Sequence, residues 1–120
     1  MSRAARVGDL LKEELSELLL REIKDPRIGF VTITEVWVSD DLRHARVYVV
    51  THETGEGRKR SLEGLDSARS YLRSALGRRL RLRYVPDLRF CIDESLEQGL
   101  RIHEILKSLG TGDKPDEQGS

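Results

Sequence analysis

The sequence RHARVYVVT at positions 43–51 decides the fold, because its apolar residues recur with the period of a β-strand. One face of this strand is apolar and carries Ala45, Val47 and Val49, and the residues between them are polar or aromatic. Residues 30–38 are rich in β-branched side chains, and a four-residue polar turn separates them from this strand. The two segments therefore predict an antiparallel hairpin.

Helical patterns lie on both sides of the hairpin. Ala4 to Lys24 carries leucines at helical spacing, and Asp25-Pro26 should end that helix. His52 to Arg60 is polar and contains glycine, which predicts a mobile loop. A second helix is expected over 61–76, with its first residue, a serine, as N-cap. Gly77 should interrupt this helix, which then resumes through position 80 as a kinked or second short helix.

Leu88 to Asp93 alternates again and predicts a third strand. A helical crossover links it to the second strand, so those two strands should be parallel, with the second strand in the middle. The predicted fold is α+β, a two-layer sandwich in which helices cover a three-stranded mixed sheet. Residues 95–109 could add a last helix. The domain then spans 1–109, followed by a disordered C-terminal tail over 110–120.

Length and composition limit the chain to one domain of 120 residues. No apolar run approaches the roughly 20 residues that cross a membrane, so we expect no membrane contact. The N-terminal residues are charged, which argues against secretion. The one cysteine, Cys91, fits a reducing cytoplasm and the role of a buried small hydrophobe. We expect a cytoplasmic monomer.

Positive charge is concentrated in one part of a chain whose formal net charge is zero. Residues 58–89 contain ten basic and three acidic side chains, a net charge of +7. No acid occurs at all over 67–86. Such segregation suits an anionic partner, and Arg69 and Arg73 should share a helical face opposite the leucine stripe.

Several segments, taken in order between Arg3 and Leu106, resemble the bacterial ribosome-binding factor A family. They are DPRIGFVTIT at 25–34, VSDDL at 38–42, LRSALG at 72–77 and VPDLRF at 85–90. The resemblance implies a type II K-homology (KH) fold, with the order α-β-β-α-kink-α-β. Ordinary KH domains hold RNA with a Gly-x-x-Gly loop, which is absent between Ser61 and Pro86. In this family an Ala-x-Gly kink replaces the loop, and Ala75 and Gly77 match it.

The resemblance also implies a function. A member of this family is expected to bind the free small (30S) ribosomal subunit through 16S rRNA and to assist late maturation and 5′-end rRNA processing. It implies no enzyme activity, and other assembly factors or GTPases could be further partners. We expect no cofactor and no metal. The candidate RNA-binding residues are Arg58, Lys59, Arg60, Arg69, Arg73, Arg78, Arg79, Arg81 and Arg83.

Three alternatives remain open from the sequence. The arginines could form a solvated helix face, and Arg81 or Arg83 could pair with Asp87 or with the acidic first helix. The basic helix could instead bind an acidic protein partner, which would make the chain a protein-interaction module. Trp37 and Tyr48 could stack on bases, although packing is the preferred role for Trp37. The three histidines show no metal-ligand spacing.

Overall fold

The computed structural model describes residues 2–95 and contains two helices and a three-stranded mixed sheet. The elements, in chain order, are α1 (Arg3–Arg21), β1 (Val31–Val38), β2 (His44–Thr51), α2 (Gly55–Leu80) and β3 (Asp87–Ile92). The predicted α+β class is confirmed. The predicted helix over 95–109 and the tail over 110–120 lie outside the described residues, apart from Ser95.

Strand β2 occupies the centre of the sheet, as its alternation predicts. It pairs antiparallel with β1 and parallel with β3. Its apolar face is fully buried at Ala45, Val47 and Val49, together with Leu88 and Phe90 of β3. Helix α1 packs on β1 and α2 packs on β3, so both helices cover this one face. Within residues 2–95 no helix packs on the other face of the sheet, which we call the open face.

A β-bulge in β1 changes which of its side chains reach the core. Ile33 pairs with Val49 and Glu35 pairs with Tyr48, so Thr34 is the extra residue. Beyond the bulge the buried positions are therefore Val36 and Val38 rather than 35 and 37. Trp37 consequently lies on the open face and is 46% exposed. The preferred packing role for Trp37 is wrong for this reason.

Helix α1 begins and ends with identifiable caps. The Ser2 hydroxyl accepts a hydrogen bond from the Ala5 N–H at 3.0 Å. The helix ends at Arg21, three residues before its predicted end, and a short turn follows. In that turn the Asp25 carboxylate accepts hydrogen bonds from both the backbone and the guanidinium of Arg27, which holds its pKa below the usual value.

Helix α2 corrects two predictions about the chain after β2. It starts at Gly55, so most of the predicted loop over 52–60 is helical. It also continues through Gly77 to Leu80, so the described residues contain no separate short helix after Gly77. Each glycine costs a helix only about 1 kcal/mol, which the buried face of α2 offsets. The chain leaves the helix at Arg81, which has a left-handed backbone with φ 54°.

Ser61 is the buried polar residue that joins α2 to the turn after α1. It is 1% exposed and lies inside α2, so its predicted role as N-cap is wrong. Its hydroxyl lies 3.1 Å from the carbonyl oxygen of Ile28 and 3.2 Å from that of Arg27, and donates to this pair. These contacts give the two turn carbonyls a hydrogen-bond donor, which they need because burial separates them from water.

Replacing Ser61 with alanine should lower the free energy of unfolding by about 1–2 kcal/mol, because the turn carbonyls lose their buried donor. Urea denaturation followed by circular dichroism measures the change. Ser70→Ala is the matched control, since Ser70 is an exposed serine of the same helix, and it should change stability little. Equal midpoints for the two variants would contradict this role of Ser61.

Candidate nucleic-acid interface

Helix α2 carries seven of the nine predicted RNA-binding residues. Arg58, Lys59 and Arg60 lie near its beginning, on ordered helix rather than on the expected loop. Arg58 is half-buried, and the other two are exposed. At about 1.5 Å per residue the helix is about 39 Å long, so its basic residues, from position 58 to position 79, are spread over about 30 Å.

Arg69 and Arg73 are exposed and lie one turn apart on the flank of α2 that borders β3. The Arg73 Nη2 donates to the carbonyl oxygen of Val85 at 3.0 Å, just before that strand. These arginines therefore border the buried leucine stripe rather than lying opposite to it, which corrects the prediction. Arg73 keeps its charge at the surface while one of its N–H groups supports the chain leading into β3.

Arg79 lies on the side of α2 that faces α1 and is held by carboxylates of α1 and the residue after it. Its guanidinium contacts Glu22 at 2.8 Å, Glu14 at 3.2 Å and Glu17 at 3.4 Å. Tyr71 also donates its hydroxyl to Glu22. Arg79 thus braces α1 against α2. Pairing with the acidic first helix was an open alternative for Arg81 or Arg83, and the structure shows it for Arg79.

The brace sets the protonation of its members. Hydrogen bonds from Tyr71 and then Arg79 hold the pKa of Glu22 below its usual value. The hydrogen bond between Tyr71 and Glu22 also raises the pKa of Tyr71, because its hydroxyl donates to the Glu22 carboxylate. Both shifts favour an ionised Glu22 beside a neutral phenol. The arrangement therefore keeps this corner of the fold charged and paired at neutral pH.

The remaining predicted residues lie at or after the end of α2. Arg78 is exposed, and Arg81 caps the helix, with its N–H hydrogen-bonding toward Gly77. Arg83 is exposed and its guanidinium stands 5.6 Å from the centre of the Tyr84 ring. None of the three makes an ion pair within residues 2–95. The alternative in which Arg81 or Arg83 pairs with Asp87 is therefore not seen among these residues.

Ala75 and Gly77, the predicted kink residues, belong to the packed part of α2. Ala75 is 3% exposed. A Cβ on Gly77 would lie 3.2 Å from a methyl carbon of Val85, so glycine allows the chain after α2 to return close to the helix. Their match to the family motif thus has a packing explanation within this chain.

The structure also adds residues that the sequence pattern did not reveal. A cavity of about 740 Å³ lies at the end of α2, and its lining includes Arg3, Arg43 and the exposed Tyr84 as well as Arg73 and Arg83. Arg3 and Arg43 are far from the basic stretch in sequence. No local pattern could have shown that they lie beside it.

The open face of the sheet holds a second, smaller group of aromatic and basic side chains. The Arg46 guanidinium stands 5.3 Å from the centre of the Trp37 ring, and Tyr48 and Arg89 are on the same face. Cys91 is half-buried there rather than buried, which corrects the expectation for it. Glu35, Asp87 and Asp93 border this face, so its charge is mixed.

Two other kinds of site would need a cluster of metal ligands or a long apolar helix. No group of three or more His, Cys, Asp or Glu side chains within residues 2–95 is placed to hold a metal ion. Neither of the two helices found there is both long and apolar enough to cross a membrane.

Comparisons with known proteins agree with the fold. A sequence profile described as Ribosome-binding factor A matches residues 3–106. The chain belongs to the ribosome-binding factor A family. A curated ribosome-binding factor A from Halothermothrix orenii is 47% identical over 116 residues, which cover 97% of this chain and 95% of that relative.

Solved structures of ribosome-binding factor A share the architecture. The crystal structure of the Thermus thermophilus protein has a TM-score of 0.64 at 34% identity, and the match covers 74% of this chain and 94% of that one. A homology model of the same protein, fitted into the cryo-EM map of a complex with 30S, gives 0.64 at 33% identity and covers 76% and 96%.

Glu22→Gln should destabilise the protein at neutral pH, and the difference from the unchanged protein should disappear in acid. The pKa of Glu22 is lowered by folding, so its stabilisation is complete above the ordinary value of 4.5 and is lost as pH falls through the lowered value. Urea midpoints measured from neutral pH to about pH 3 test this linkage. Glu13→Gln, at an exposed carboxylate of α1, is the matched control and should lower the urea midpoint at neutral pH less than Glu22→Gln does.

Proposed function

We propose that this chain is a ribosome assembly factor that binds the free 30S subunit through 16S rRNA. Support comes first from its family, and a ribosome-binding factor A has been placed in a map of a 30S complex. We further propose that it assists late maturation and 5′-end rRNA processing without catalysing a reaction itself. It would do so in the cytoplasm and as a monomer.

The observation that carries the proposal is the number of available cations. Seven of the nine predicted residues are exposed and make no ion pair within residues 2–95. They are Lys59, Arg60, Arg69, Arg73, Arg78, Arg81 and Arg83. Arg79 differs, because its guanidinium is paired with glutamates in and just after α1. Exposed guanidinium groups offer planar donors that match phosphate oxygens, and the counterions that they displace from RNA favour binding.

The cations lie on both flanks of α2, and small serines separate them. Ser67, Ser70 and Ser74 are exposed between the two flanks. Side chains of this size would let a polyanionic backbone approach the helix while arginines on either side reach its phosphates. The arrangement is therefore an extended phosphate-binding ridge rather than a single arginine cluster.

The triple variant Lys59→Glu, Arg69→Glu, Arg78→Glu tests the ridge. These residues are exposed and unpaired in the described part of the chain, so the fold should persist while affinity for purified 30S subunits falls about tenfold or more. Co-sedimentation with 30S measures the change. Arg79 is excluded because its loss would disturb α1.

The matched control carries Arg6→Glu, Lys12→Glu and Lys24→Glu, the same change of charge in and just after α1, all at exposed positions. It should retain most of its affinity for 30S. Loss of binding that is equal in both triple variants would show that only net charge matters. Unchanged binding of the α2 variant would remove the ridge from the interface.

The alternative function is a module that binds an acidic protein. The dependence of affinity on salt concentration distinguishes it from rRNA binding. Contacts with single-stranded rRNA should give a slope of log affinity against log salt of about −0.7 per phosphate. The α2 triple variant should reduce the magnitude of that slope by about 2, because about three phosphate contacts are lost. Isothermal titration with 30S or with naked 16S rRNA measures both slopes. If the chain instead binds an acidic protein, its binding should persist when the rRNA is removed.

A further inference from the structure

The cavity at the end of α2 is formed by four separate parts of the chain. The beginning of α1, the turn between β1 and β2, helix α2 and the segment after it all contribute. Its volume of about 740 Å³ is within the range of roughly 300–1,000 Å³ that is usual for pockets holding small organic groups. The cavity shares Arg73 and Arg83 with the phosphate-binding ridge, whereas the other five cations of the ridge do not line it.

The floor of the cavity is apolar. The side chains that form it are Val7, Leu42, Leu82, Val85 and Pro86. All of them pack against the core or are themselves buried, so the floor is a fixed surface. A flat aromatic base could lie on such a surface and lose contact with water.

The turn that carries Leu42 is held rigidly. Leu42 has a left-handed backbone with φ 62°, and its N–H bonds to the Ser39 carbonyl at 2.8 Å. The Asp41 carboxylate accepts from the Ser39 hydroxyl at 2.6 Å and from the Arg43 N–H at 3.0 Å. The turn therefore fixes the position of both an apolar floor residue and an arginine of the rim.

Four guanidinium groups surround this floor, from Arg3, Arg43, Arg73 and Arg83. Two carboxylates, Asp41 and Asp87, also line the cavity, so its lining has a net positive charge. None of the four arginines makes an ion pair within residues 2–95, and Asp41 is already engaged by its own turn. An apolar floor with an unpaired guanidinium rim fits a ligand that joins a flat apolar body to anionic groups.

Tyr84 stands at the edge of the cavity and is 77% exposed. The Arg83 guanidinium covers one face of its ring at 5.6 Å, which leaves the other face for a planar partner. Exposed aromatic rings next to arginine are the usual platform on which unpaired bases stack. An acidic peptide would use the guanidinium groups but has no need of this ring.

We propose that the cavity binds one unpaired nucleotide of an RNA strand, with its base on the apolar floor or on Tyr84 and its flanking phosphates on the arginine rim. The proposal rests on the proposed function for the choice of RNA as ligand. It adds a site that prefers single-stranded RNA to the ridge on α2. A duplex would not fill the cavity, because its bases are stacked inside the helix.

Fluorescence anisotropy with the full chain and a labelled single-stranded RNA octamer tests the site, with an RNA hairpin of equal charge as the comparison. Tyr84→Ala should weaken octamer binding about tenfold, which is the usual effect of losing one base–aromatic stack. Arg43→Gln should weaken it several-fold. Hairpin binding by either variant should change less than octamer binding.

Two control variants match these changes outside the cavity. Phe30→Ala removes a ring that is 86% exposed just before β1, and Arg89→Gln removes an exposed arginine of the open sheet face. Both should bind the octamer like the unchanged protein. If Tyr84→Ala and Arg43→Gln match these controls, the proposed nucleotide site is wrong.

Methyl NMR identifies the ligand directly. The methyl resonances of Leu42 and Leu82 should shift with the octamer and remain in place with an abasic octamer of the same charge. Equal shifts with the abasic strand or with an oligoglutamate peptide would overturn the site, because no base would be needed. If the unchanged protein co-sediments with 30S but these tests fail, the nucleotide site is wrong and the proposed function is retained. If it does not bind 30S, the proposed function fails.

Discussion

The parallel pairing of β2 with β3 is the constraint on which the rest of the structure depends. Parallel neighbours must be joined by a chain that travels back along the whole sheet, and α2 provides this return. The end of α2 is thereby brought to the edge where β3 begins and where β1 turns into β2. The Asp87 N–H bonds there to the Arg43 carbonyl at 2.8 Å. The basic helix, the turn and the arginine-lined cavity meet because of this one pairing.

Charge on α2 has two different fates, and the difference lies in what each flank faces. The flank toward α1 meets glutamates, so Arg79 is neutralised within the protein and contributes to the packing of the two helices. The flank toward β3 meets backbone, so Arg73 donates one hydrogen bond and keeps its charge available. A count of arginines along the sequence therefore overstates the charge that a partner would meet.

Small polar residues fix the geometry where apolar packing alone would not. Ser61 ties the turn after α1 to α2 through two carbonyl groups. Thr34, the bulge residue of β1, donates to Asp93 at 2.5 Å and so links the first strand to the chain after the last one. Thr34 itself lies at a β-bulge, whereas Ser61 lies inside α2 and reaches the irregular turn after α1. The Ser61 bonds satisfy turn carbonyls, and the Thr34 bond reaches a side-chain carboxylate.

The sequence by itself determined the elements whose signal is local. Alternation marked β2 and β3, leucine spacing marked α1 and most of α2, and the crossover rule gave the topology of the sheet. The concentration of arginine on one helix was equally visible, because it is a property of composition along the chain. Residues 55–60 form the start of α2 rather than the expected loop; they are polar and carry two glycines, and the buried residues of the helix begin only at Ser61.

Only the tertiary structure decided which side chains face one another. The bulge at Thr34 turned Trp37 outward, the approach of α1 engaged Arg79, and the meeting of four segments placed Arg3 and Arg43 beside Tyr84. Such outcomes depend on contacts between residues that are tens of positions apart. Periodicity reports on which face of its own element a residue occupies, but it carries no information about what the opposite element presents there.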